Sequence, residues 1–224
     1  MAVKVLSIRE DIMGANKMKA QGNRRRFDDF NIFALNIMSS PGAGKTSLIM
    51  ETINGLKENL RISVIEGDVA STIDADKINE QGVPVVQINF PGGCHLDANM
   101  VENALNNLPL EQTDLILIEN VGNLICPAEF ELGEHKKAIL LSIPEGDDKP
   151  EKYPLMFTEA DVVLVNKIDL LPHLRFDINA FNRAIRELNP DVTIFQISCT
   201  TGEGFEAWLL WLKDQINKRG PTVR

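Results

Sequence analysis

Seven short apolar runs mark the chain from Phe33 onward, and their character constrains the fold before any motif is considered. They fall at residues 33–38, 62–66, 84–88, 115–118, 138–143, 162–166 and 193–197. Most are rich in Val, Ile and Leu, without a regular alternation of apolar and polar residues. That is the signature of strands covered on both faces, as in parallel sheets. Between them lie amphipathic stretches of helical length at 45–58, 73–81, 96–108, 178–188 and 203–218. Strand, helix and strand in repetition predict an α/β domain, with a doubly wound, mostly parallel sheet and helices on both faces. Residues 1–29 are polar, with sparse apolar positions at Ile8, Ile12, Met13 and Met18. They read as an N-terminal helical extension lying on a domain of residues 30–224.

One strand-to-helix turn in this rhythm carries chemistry. Ser39-Ser40-Pro41-Gly42-Ala43-Gly44-Lys45-Thr46-Ser47 follows the first apolar run and opens the first amphipathic stretch, the context that a phosphate-binding P-loop requires. Gly42, Ala43 and Gly44 let backbone N–H groups converge on phosphate oxygens, and the helix N-terminus adds its partial positive charge. Lys45 is expected to reach the β- and γ-phosphates and the Thr46 hydroxyl to bind Mg²⁺. The strict G-x-x-x-x-G-K-[ST] pattern fails at its first position, where Ser39 stands, without removing the glycines nearest the phosphates.

Far downstream, Asn166-Lys167-Ile168-Asp169 reads a purine base. A carboxylate at Asp169 accepts both N1–H and N2–H of guanine, whereas opposite adenine it faces a lone pair, so the expected nucleotide is GTP or GDP. Ser198-Cys199-Thr200 lies where GTPases carry a short loop under the purine, and Cys199 reads there as a small packing residue. Asp68 and Glu119 stand at the ends of apolar runs and are expected beside Mg²⁺. In Glu119-Asn120-Val121-Gly122 the glycine occupies the place of a γ-phosphate sensor. Asn123 stands where some GTPases hold a glutamine that orients the attacking water; its shorter side chain predicts slow intrinsic hydrolysis. Lys45, Asp68, Glu119 and Gly122 are thus the candidate catalytic set.

Cys94-His95 and Cys126 follow two different strands on what should be the nucleotide side of the sheet. Two thiols and an imidazole suit Ni²⁺ or Zn²⁺ better than hard ions, and three ligands leave a position open. A purely structural Cys-His pair is the competing reading at this stage. His135 and His173 read as surface or packing residues, and Arg24-Arg25-Arg26 as a solvated helix face or end.

The net charge of −9 argues against a nucleic-acid or anionic-membrane partner. No run approaches the roughly 20 apolar residues of a membrane span, and no secretory signal is read at the N-terminus. Three cysteines, an odd number, fit a reducing compartment, so a cytoplasmic location is expected.

Taken together, these motifs resemble the HypB family of hydrogenase maturation GTPases, in the signal-recognition-particle-like class of P-loop GTPases. The resemblance spans residues 30–211 and rests on the P-loop segment, Glu66-Gly67-Asp68, Gly92-Gly93-Cys94-His95-Leu96-Asp97-Ala98, Glu119-Asn120-Val121-Gly122-Asn123-Leu124-Ile125-Cys126-Pro127 and Asn166-Lys167-Ile168-Asp169. It implies a metal-responsive GTPase that delivers nickel to the large-subunit precursor of nickel–iron hydrogenase, with the accessory protein HypA as partner. It also implies that Cys94, His95 and Cys126 form a metal site at the interface of a GTP-dependent homodimer. Two alternatives stand beside it: a urease-accessory-type nickel GTPase, which typically places Pro between the Cys and His that are adjacent here, and a metal-binding scaffold that holds nucleotide without turnover.

Overall fold

The computed structural model describes residues 8–68, 73–89 and 92–219. Its strands are β1 (Phe33–Ser39), β2 (Ile62–Asp68), β3 (Val85–Asn89), β4 (Leu115–Gly122), β5 (Lys136–Ser142), β6 (Val162–Asn166) and β7 (Thr193–Gln196). They form one sheet in the order β3-β2-β4-β1-β5-β6-β7, and every neighbouring pair is parallel. The order reverses on either side of β1, so the crevice beyond its carboxyl end is the topological switch point where ligands of such sheets bind.

The helices are α1 (Ile8–Asp29), α2 (Lys45–Leu56), α3 (Ile73–Asn79), α4 (Ala98–Leu105), α5 (Cys126–Glu129), α6 (Lys149–Lys152), α7 (Pro154–Thr158), α8 (Ile178–Leu188) and α9 (Phe205–Asn217). They cover both faces. Phe33, Leu35 and Ile37 of β1 point into a core shared with α2 and α9, where Trp208 is fully buried and donates its indole N–H to Thr52 at 3.0 Å. The alternate residues face two other clusters. One joins Ala34, Ile116 and Ile118 to α1 and α4; the other joins Met38, Ile139 and Val163 to α7 and α8. Burial on both faces accounts for the mainly apolar runs of the central strands; β3 and β7, at the edges, are only partly buried. Among the described residues, no helix is long and apolar enough to cross a membrane.

Two features depart from expectation. The α1 helix forms and lies on the domain, but Ile12 and Met18 are exposed; the buried stripe is Asn16, Ala20, Asn23 and Phe27. Its amides explain why: Asn23 Nδ2 donates to the Ala98 and Leu132 carbonyls, while Asn16 receives the Ala98 N–H and donates to the Glu131 carbonyl. Within the basic run, Arg24 binds the Gly133 and Glu134 carbonyls, and Arg26 binds the Leu105 carbonyl at the end of α4. The β4 strand also continues past Ile118 to Gly122. Its register against β1 slips by one residue, from Ile37 opposite Glu119 to Ser39 opposite Gly122.

Candidate nucleotide and metal site

The turn between β1 and α2 presents the phosphate loop. Gly44 caps α2 at φ 102°, a left-handed conformation that costs glycine little. A Cβ there would also lie 2.6 Å from Asn166 Nδ2, so both backbone and packing demand glycine. The first N–H groups of α2 have no intrahelical acceptor, which makes this helix end a ready anion site. Lys45 Nζ rests 3.0 Å from Ser39 Oγ. Burial holds its ammonium below the ordinary lysine pKa, against the opposing pull of Glu119, Glu145 and Glu66. The departure from the strict motif therefore has a structural use, because Ser39 supplies the hydroxyl that parks the lysine. Ser47, one residue past Thr46, is exposed.

Thr46 donates its hydroxyl to Glu119 Oε1 at 3.2 Å, and Glu119 is 5% exposed. A hydroxyl beside a carboxylate is a hard-oxygen donor set that fits Mg²⁺. Asp68 ends β2; its side chain lies outside the described part of the structure. Glu145 was not singled out in the sequence. Its carboxylate accepts from the Ser142 N–H and hydroxyl, both at 2.8 Å, and also takes the Ser40 hydroxyl. The Ser142-x-x-Glu145 spacing of a capping box was the available signal.

On the base side, three loops are tied by one amide. Asn166, 2% exposed, donates to the Ala43 carbonyl at 3.0 Å and accepts from the Lys167 N–H at 2.8 Å and the Cys199 N–H at 3.2 Å. Lys167 reaches back to the Gly42 carbonyl at 2.7 Å. Asp169 is half-buried and receives the buried Ser198 hydroxyl at 2.6 Å, which aims its carboxylate. Burial pushes the Cys199 thiol up to about 11, in keeping with a packing role. Thr200 is exposed at the loop tip. Asn166 is thus a brace between loops, and Asp169 is a half-buried carboxylate held by Ser198 beside it.

Gly122 sits against the phosphate loop, where a Cβ would lie 2.9 Å from the Pro41 nitrogen. The next residue, Asn123, donates its amide to the Cys94 carbonyl at 3.1 Å and accepts the Ile125 N–H at 2.9 Å, so its short side chain is engaged on the cysteine loops. Cys94, His95 and Cys126 bring their ligand atoms within 4.8 Å of one another. Phe130 stacks on the His95 ring at 3.8 Å between centroids, and burial lowers the imidazole pKa, favouring the neutral ligating form. The neighbouring Cys126 thiol raises the pKa of Cys94.

The remaining histidines stay outside. His173 is exposed, and His135 packs on Phe33, accepting the Ala34 N–H at 2.9 Å and facing Asp28 at 3.1 Å.

A family model described as "CobW/HypB/UreG, nucleotide-binding domain" matches residues 33–196. The chain is 50% identical over 221 residues to the hydrogenase maturation factor HypB of Azotobacter vinelandii, covering 99% of this chain and 72% of that protein. The crystal structure of HypB from Helicobacter pylori in complex with nickel superposes with a TM-score of 0.87 at 36% identity, over 94% of this chain and 99% of the other. HypB from Archaeoglobus fulgidus gives 0.86 at 37%, over 91% and 100%.

Proposed function

This chain belongs to the CobW/HypB/UreG nucleotide-binding family, among the HypB hydrogenase maturation factors, and on that premise we propose that it is a Mg²⁺-dependent GTPase that handles nickel for the large subunit of nickel–iron hydrogenase. The observation that carries the reading is a juxtaposition. Three ligand atoms converge within 4.8 Å on loops leaving β3 and β4, and the β4 loop begins at the glycine pressed against the phosphate loop. Nickel as cargo is supported by the donor set, two thiols and a neutral imidazole, and by the nickel complex of the Helicobacter pylori relative.

In this reading Lys45 leaves Ser39 to neutralise charge on the β- and γ-phosphates. The helix N-terminus and loop N–H groups hold the phosphates, and Asp169 accepts from the guanine edge. Thr46, Glu119 and Asp68 would hold Mg²⁺, which when bound offsets the phosphate charge. Gly122 meets the γ-phosphate, and its displacement carries Cys126 with it. A homodimer formed with GTP bound would supply the ligands that one subunit lacks; HypA and the hydrogenase large-subunit precursor are the proposed protein partners.

Equilibrium dialysis with Ni²⁺ and Zn²⁺, in parallel with GDP and a non-hydrolysable GTP analogue, tests this. Metal affinity and oligomeric state should change with nucleotide, Cys126→Ala should weaken metal binding, and Lys45→Ala should abolish GTP turnover. Equal affinity for ATP and GTP, or nucleotide-independent metal binding, would refute it.

A further inference from the structure

Chain continuity links Gly122 to Cys126 but not to Cys94 and His95, which arrive from β3. Two amides fill that gap. Asn120, fully buried on β4, accepts the Leu96 N–H at 3.1 Å and its neighbour Val121 N–H at 2.9 Å. Asn123 donates to the Cys94 carbonyl at 3.1 Å while holding the Ile125 N–H at 2.9 Å. The backbone on each side of His95 is therefore gripped from the segment that contains Gly122. Asn120 is itself held in place: its Nδ2 donates to Asn36 Oδ1 at 3.2 Å, and Asn36 donates to Glu134 at 3.1 Å. The buried Asn120–Asn36–Glu134 chain fixes one geometry at Leu96, because each lost bond there strands a polar partner.

We propose that Asn123 is the positioning residue that makes the Cys94 backbone follow Gly122, with Asn120 as the fixed anchor at Leu96, so that both halves of the metal-ligand set respond to the nucleotide. The inference rests on the nucleotide-switch reading above and names the parts that transmit it. Without the Asn123 amide, Cys126 would still move with Gly122. Cys94 and His95 would stay where the Leu96 side chain seats them, over Gly67 of β2. The three donors would then converge in one nucleotide state only. Such a device needs a rigid element with two discrete placements, and the β4 end that butts against Pro41 is the element proposed for it.

Hydrogen exchange resolved by peptide, in metal-free protein saturated with GDP or a GTP analogue, reads the device directly. In the unmodified protein both the 92–96 and 121–126 segments should change protection between nucleotides. In Asn123→Ala and Asn123→Asp the change at 121–126 should persist while that at 92–96 is lost; Asn123→Gln, which keeps the donor, should restore it. Asn123 is half-exposed, so these variants should fold even where Asn120→Ala does not. The Ni²⁺ affinity ratio between nucleotide states, expected at about 5-fold or more in the unmodified protein, should fall to within about twofold in Asn123→Ala. A 92–96 response retained in Asn123→Ala and Asn123→Asp overturns the clamp alone. No response at 121–126 in the unmodified protein overturns the switch reading, and the clamp with it.

Discussion

Replacing Asn166 with Ala should destabilise the protein before any nucleotide is added. Asn166 is 2% exposed and makes three hydrogen bonds, to the Ala43 carbonyl and from the Lys167 and Cys199 N–H groups. A net contribution of about 1 kcal/mol per bond gives roughly 3 kcal/mol. Stranding buried partners would raise that figure, and water entering the vacated space would lower it. For a chain of this size each kcal/mol moves the midpoint by about 2–4 °C, so a drop of roughly 6–12 °C is expected. Urea denaturation of apo protein gives the energy, and a guanine-nucleotide titration gives the second readout. Because the amide joins the phosphate loop to the base loop, nucleotide affinity should fall as well. Asp169→Asn is the control: Asp169 is half-buried and holds only the Ser198 hydroxyl among the described bonds, so stability should change by about 1 kcal/mol or less while base preference shifts toward xanthine. A loss below about 1 kcal/mol for Asn166→Ala, with unchanged GDP affinity, would refute the claim that this amide assembles the loops.

Gly122→Ala should cost about 1–3 kcal/mol by overpacking, since its new methyl would lie 2.9 Å from the Pro41 nitrogen; calorimetry should show the loss, and nucleotide titration a weakened phosphate grip. His135 supplies a pH signature. Burial lowers its pKa from 6.5 to about 4, with Arg219 and Arg24 adding to that and the Asp28 hydrogen bond opposing it. The folded state therefore prefers neutral imidazole, so this contribution is fully present above pH 6.5 and is lost as pH falls toward 4. The loss should amount to about 1–3 kcal/mol, and in His135→Gln the stability profile across that window should be flatter; identical slopes would refute the assignment.

Although the edge strands β3 and β7 are only partly buried, the sheet was legible because its central strands are buried on both faces and their runs are mainly apolar. The end of β4 was not. Glu119, Asn120 and Gly122 read as loop, since hydrophobicity stops at Ile118 and the site requires a carboxylate, an amide and a residue without a side chain. The α1 helix was legible as a helix, yet its buried face was not. Its contact with the domain is made by Asn16 and Asn23 bonding to backbone, so the apolar positions Ile12 and Met18 point the wrong way. The convergence of Cys94, His95 and Cys126 had a signal in residue type. The bonds of Asn123 were not legible: its place in the chain suggested only a side chain too short to orient water, whereas its amide bonds to the Cys94 carbonyl. Glu145 closes a local cap with Ser142, but the Ser40 hydroxyl that it also accepts lies 105 positions away in the chain.

The brace at Asn166 has a consequence for how ligands instruct this molecule. The Ala43, Lys167 and Cys199 backbones are joined by one side chain, and GDP and GTP carry the same base, so under the guanine reading this half of the cleft is the same receptor for both. A feature that two ligands contact alike cannot bias one conformation over another, however tightly it holds them. Occupancy and instruction are therefore assigned to different halves: the purine end decides who enters, and the Thr46, Glu119 and Gly122 end decides what entry does. Guanosine or GMP, confined to the first half, would behave as a silent competitor, displacing GTP while leaving the cysteine loops in their resting arrangement.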